Sequence, residues 1–168
     1  MSLRKDVAVR AVIKRRVAAP RERVFQAWTD AEHLRRWFFP SVDGNAVPHA
    51  EVDLRVGGHY RITLHAPDGN ITAMVGGTYH EVHPPAKLVF SWAWQAPEPD
   101  ASETFVTVEL REVWGETEII ITHEHYPNLP ARERHTMGWN CCLERLTQLV
   151  EATSSSRVLV THGDPCHH

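Results

Sequence analysis

The sequence predicts an α+β fold: a curved antiparallel β-sheet with two short helices, wrapped on a long C-terminal α-helix. Three observations lead there. Residues 9–17 and much of 47–125 alternate apolar and polar, the period of half-buried strands. A helical segment with aromatics at helix spacing interrupts them at 19–38. Near residue 130 the apolar period lengthens to three and four, which is the spacing of one amphipathic helix over 131–151.

The first strand puts Val9, Ala11, Ile13 and Val17 on one face and Arg10, Lys14 and Arg16 on the other, with Arg15 an exception on the apolar face. Pro20 ends it and suits the first turn of a helix, and Glu22 lies favourably near that helix's positive end. Val24, Ala27 and Trp28 form its inner stripe. Asp30 is placed to cap a second short helix carrying Leu34 and Trp37, which Phe39-Pro40 closes. Six strands follow from residue 47. Gly57-Gly58 breaks the chain before 59–65, Pro67-Asp68-Gly69-Asn70 reads as a hairpin turn, and 71–82 runs up to Pro84-Pro85. Over 87–95, Leu88, Phe90, Trp92 and Trp94 share a face. A proline-rich loop over 95–101 leads to a last hairpin of 104–111 and 117–125, turning at Trp114-Gly115-Glu116. On the final helix His135, Trp139, Cys142, Leu146 and Leu149 form the apolar stripe, with Arg132, Arg134, Glu144 and Arg145 largely opposite.

The chain has 168 residues, enough for one domain with a sizeable core; 9–152 is the expected domain and 153–168 a flexible tail. A net charge of -3 gives no basic footprint for nucleic acid, and no apolar run is long enough to span a bilayer, so a cytoplasmic protein is expected. Three cysteines point to reduced thiols rather than a disulfide framework, with Cys166 the one placed for a transient intermolecular bond. Most of the twelve histidines, among them His33, His49, His59, His65 and His162, read as surface groups that titrate together below neutrality.

The stretch 19–38, the run Asp53-Leu54-Arg55-Val56-Gly57-Gly58, residues 82–90 and Gly138-Trp139 occur in an order that resembles a known family. It is the domain named after the activator of the Hsp90 ATPase (AHSA1-like), in the START/Bet v 1-like (SRPBCC) superfamily. The resemblance implies a helix-grip fold with a cavity between sheet and helix, and an association with stress response. In the eukaryotic co-chaperone this domain accompanies a separate Hsp90-binding domain. Only about eight residues precede the first strand here, so that domain is expected to be lacking and co-chaperone function is not inherited. Phe38-Phe39 after Trp37 departs from the aromatic and glycine common in relatives.

Concave apolar cavities are the default small-molecule sites, so inward parity selects the candidate ligand-binding residues. These are Trp28, Trp37 and Phe38 from the short helices, and Tyr60, Ile62, Val75, Tyr79, Phe90, Trp92, Trp94, Val106 and Ile121 from the strands; Trp139 and Leu143 come from the last helix. Gly77 and Gly138 either open volume or admit a close backbone approach. Arg15, Glu81, His123, His125 and His135 are polar exceptions on the inward face. Arg15 pairs with Glu81 or holds an anionic ligand; Arg15, His123 and His135 join the candidate site. A three-histidine metal site from His123, His125 and His135 is considered and not expected, and no cofactor is expected. The expected function is binding of a small hydrophobic ligand, aromatic or lipid-like, with no catalytic residues assigned. Two alternatives stand beside it: acid–base chemistry of the polyketide cyclase type through cavity His and Arg groups, and a protein-interaction module for an Hsp90-type chaperone or another partner. The chain reads as a monomer or a homodimer, with Trp114 and residues 158–160 as apolar groups outside the core.

Overall fold

A computed structural model describes residues 9–38, 47–96 and 103–152. Seven strands form one antiparallel sheet in the order β1-β7-β6-β5-β4-β3-β2. They are β1 (Val9–Val17), β2 (Val47–Val52), β3 (His59–His65), β4 (Ile71–His83), β5 (Lys87–Ala96), β6 (Thr104–Val113) and β7 (Glu116–Tyr126). Two short helices, α1 (Arg21–Thr29) and α2 (Ala31–Trp37), lie in the chain between the two edge strands β1 and β2, and α3 (Leu129–Ala152) follows β7. The helix-grip architecture expected from the sequence is therefore present. The last helix begins two residues before the expected start, and the closure by Phe39-Pro40 and the tail over 153–168 fall outside the described residues.

Local chemistry explains the helix boundaries. The Pro20 carbonyl accepts from the amides of Arg23 and Val24, opening α1. Asp30 separates α1 from α2 with extended backbone, and its carboxylate accepts from the Glu32 amide, as its sequence position predicts. Val24, Phe25, Ala27 and Trp28 of α1 and Leu34 and Trp37 of α2 are buried. From α3, Trp139, Cys142, Leu143, Leu146 and Val150 are buried against the same core.

The sheet departs from regular pairing at places that decide which side chains face inward. On β7 the register against β1 shifts between Ala11↔His123 and Val9↔Tyr126, and His125 has a φ of 73°. This bulge turns His125 outward, where it is exposed and meets the Phe105 ring, and brings Tyr126 into the core instead. On β4 the register against β5 shifts between Tyr79 and Glu81. Glu81 consequently lies at the surface beside Lys87 and His83, at 3.4 and 3.2 Å. The inward placement of Glu81 and His125 expected from strict alternation is corrected by these two bulges.

Gly77 marks a close approach of β4 to β5. A Cβ there would lie 2.0 Å from the Ser91 carbonyl oxygen, so the position admits only glycine without movement of the strand. Side chains take over the pairing at this point: the Thr78 amide donates to Ser91 Oγ, and the Tyr60 phenol donates to the Ser91 carbonyl, at 2.9 and 2.7 Å. Burial holds the Tyr60 phenol well above its ordinary pKa, which keeps it a donor.

Candidate functional site

Among the described residues, two spaces lie between the sheet and the helices: a cavity of about 370 Å³ towards the start of α3 and an inner one of about 20 Å³ under the short helices. The larger is lined by Phe38, Trp92, Trp94, Arg134, His135, Gly138, Trp139 and Cys142. Helical spacing explains the contribution of α3. Arg134, Gly138 and Cys142 form one i, i+4 row, and His135 and Trp139 form the adjacent row. A Cβ built on Gly138 meets nothing within 4 Å, so its missing side chain leaves this wall open. Arg134 is exposed at the rim and is the one permanently charged group among the described lining residues.

The aromatic walls are fixed by contact with one another. Trp92 packs against Trp139, Phe38 and Trp94 with ring centroids 5.3, 5.5 and 5.9 Å apart. Trp28 stacks edge-on to Trp37 at 4.7 Å, and the Trp37 indole donates to the Ala27 carbonyl.

Two histidines anchor two of these indoles. Trp139 Nε1 donates to Nδ1 of His123 at 3.0 Å, and an indole can only donate, so Nδ1 is the unprotonated nitrogen. His123 Nε2 then donates to Thr104 Oγ1 at 2.7 Å, and Thr104 donates onward to the Trp92 carbonyl. Burial, aided by His135, pushes the His123 pKa down to about 3. The same reasoning assigns His135: Trp94 Nε1 donates to its Nε2 at 3.1 Å, so its Nδ1 carries the proton and donates to the Ala131 carbonyl. Both rings are thus engaged at both nitrogens in the neutral form. The rings are 5.4 Å apart, but His125 is on the other side of the sheet, so the three histidines considered for a metal do not converge. Among the described residues no other group of three His, Cys, Asp or Glu side chains does so.

The inner cavity is lined by Trp28, Leu34, Phe38, Tyr60, Ile62, Tyr79, Phe90 and Trp92. Phe38 and Trp92 line both spaces and form the partition between them. Of the residues selected from sequence, Phe38, Trp92, Trp94, His135 and Trp139 meet at the larger cavity; Trp28, Tyr60, Ile62, Tyr79 and Phe90 surround the inner one. Trp37, Val75, Val106, Ile121, Leu143 and His123 line neither and are packed core. Arg15 also lies at neither. Its guanidinium donates to Glu144 of α3 at 2.5 Å, and both side chains are part-exposed, so Glu81 is not its partner. Arg134 and Cys142 were not among the selected residues. Their i, i+4 relation to Gly138 is the signal that links them to the site.

The cysteines differ from the expectation of three reduced thiols. Cys141 is half-exposed and disulfide-bonded, while Cys142 is free and buried. Adjacent helix positions point about 100° apart, so the Cys141 sulfur reaches outward while the Cys142 thiol lines the cavity. Burial pushes the Cys142 thiol up to about 12, so it is an apolar lining group rather than a nucleophile.

The profile of the activator of Hsp90 ATPase homolog 1-like proteins (AHSA1) matches residues 18–151. The chain belongs to this family. Solved structures agree with its architecture. Protein CV1439 from Chromobacterium violaceum is 26% identical, with a TM-score of 0.72 over 84% of this chain and 96% of that one. Protein NE0264 from Nitrosomonas europaea is 25% identical, with a TM-score of 0.67 over 88% and 97%. The AHSA1 protein SPO3351 from Silicibacter pomeroyi, at 22% identity and a TM-score of 0.72 over 86% and 99%, shares the fold. No protein of curated function matches the sequence. The AHSA1-like fold is compatible with ligand binding in a cavity, and no helix among the described residues is long and apolar enough to cross a membrane.

Proposed function

We propose that the protein binds a small, flat hydrophobic molecule, aromatic or lipid-like, in the cavity between β5, α3 and the end of α2, without changing it covalently. The observation that carries this reading is a cavity of about 370 Å³ walled by Phe38, Trp92, Trp94 and Trp139 and opened by Gly138. That size falls within the usual range of small-molecule sites, and indole and phenyl faces favour stacking on a planar guest. The state of the two histidines supports binding over acid–base chemistry. Each has both nitrogens committed to structural hydrogen bonds, and protonation would cost it a bond from a tryptophan.

Titration with uncharged flat aromatic probes, followed by quenching of the wall tryptophans and by calorimetry, tests the proposal. Saturable binding of one probe per chain is expected. Absence of saturable binding for every probe would end the reading, and turnover of any probe would shift it towards the cyclase alternative.

A further inference from the structure

The indole N–H groups around the cavities fall into two sets. Trp94 and Trp139 donate to histidines and Trp37 donates to a backbone carbonyl. Trp28 and Trp92, only 3% and 5% exposed, have no hydrogen-bond partner for Nε1 among the described residues. Both line the inner cavity, and Trp92 also faces the larger one. A buried donor without an acceptor is costly, and nearly all such groups in folded proteins find one. An indole nitrogen donates only, so what is missing at this place is an acceptor.

From this we infer that the cavity's guest carries a carbonyl oxygen on its leading end, which accepts from Trp92 Nε1 at the partition and points towards Trp28, making aromatic ketones and quinones the favoured ligand class. This rests on the binding reading above and refines it. The acceptor is uncharged. None of the described residues lining the inner cavity is cationic, and an unpaired anion there would meet a large desolvation cost. The inner space of about 20 Å³ has room for one oxygen and little more, which fits a carbonyl at the partition rather than a bulky head.

Three probes of the same ring skeleton separate the possibilities in the wild-type protein: fluorene, 9-fluorenone and fluorene-9-carboxylate, each measured by calorimetry. Fluorenone is expected to bind roughly tenfold more tightly than fluorene, the size of one good hydrogen bond to an otherwise unpaired donor. Trp92→Phe should bring the two within about twofold by weakening fluorenone much more than fluorene, and Trp28→Phe should do the same in part. Equal affinity of fluorene and fluorenone in the wild type overturns the inference while leaving the binding reading intact, since a water then supplies the acceptor. Tightest binding of the carboxylate, lost in Arg134→Ala, also overturns it, placing the polar end at the rim. Failure of all three probes removes the binding reading together with this one. The wild-type ranking decides the matter even if a tryptophan variant does not fold.

Discussion

His123 is fully buried, and its neutral ring joins β7, β6 and α3 through Trp139 and Thr104. Its pKa sets a pH dependence with a definite sign. The unfolded chain takes up this proton below about pH 6.5, whereas the folded one resists until about 3. The stability His123 contributes is therefore complete above pH 6.5 and is lost as pH falls through that window, by up to about 1.4 kcal/mol per pH unit. Urea unfolding at several pH values should show this slope, and His123→Gln, which keeps an acceptor and a donor but does not titrate, should flatten it. An identical slope in both proteins would contradict the assignment. His123→Ala, which orphans the Trp139 N–H and leaves a void, is expected to cost about 3 kcal/mol. At Arg15 the expected effect is small. Its ion pair with Glu144 is part-exposed, so Arg15→Ala should cost about 0.5–1 kcal/mol and leave probe affinity unchanged. A large loss of affinity would return Arg15 to the site.

The elements themselves were readable wherever period and punctuation agreed. The apolar alternation of Ile13 and Val17, the cap at Asp30, the shared face of Leu88, Phe90 and Trp92 and the helical stripe through Trp139 and Leu146 all lie where the sequence places them. What alternation conceals is the bulge. One extra residue reverses inward and outward for everything beyond it, and neither His125 nor the 79–81 stretch carries a glycine or proline to announce it. Glu81 and His125 were misplaced for that reason alone. Gly77 illustrates the opposite case, in which the residue type was informative but ambiguous. It could have opened volume or allowed a close approach, and the Ser91 carbonyl at its position decides for the approach. Gly77→Ala should accordingly destabilise the β4–β5 pair by about 3 kcal/mol, read by chemical unfolding. Gly138 takes the other role. Gly138→Ala should raise stability by about 0.8–1 kcal/mol, since a methyl group there meets nothing and alanine favours a helix interior.

At the scale of the whole molecule, most of the described inward aromatic surface serves as core, and the end near Gly138 stands open as a cavity of about 370 Å³. That partition was not legible in the sequence, because parity reports which way a side chain faces and not whether a neighbour fills the space before it. Trp37, Val106 and Leu143 face inward as surely as Trp92 does, yet they are enclosed by other side chains. On the binding proposal, this open end is where the protein holds its ligand. Gly138→Phe is the sharpest test, because a Cβ there meets nothing within 4 Å and the new ring grows from the cavity's own lining. Its circular dichroism spectrum and unfolding temperature should stay close to those of the parent while probe affinity falls tenfold or more, a loss of about 1.4 kcal/mol or above. Undiminished binding by a folded Gly138→Phe protein would place the ligand elsewhere and contradict the account.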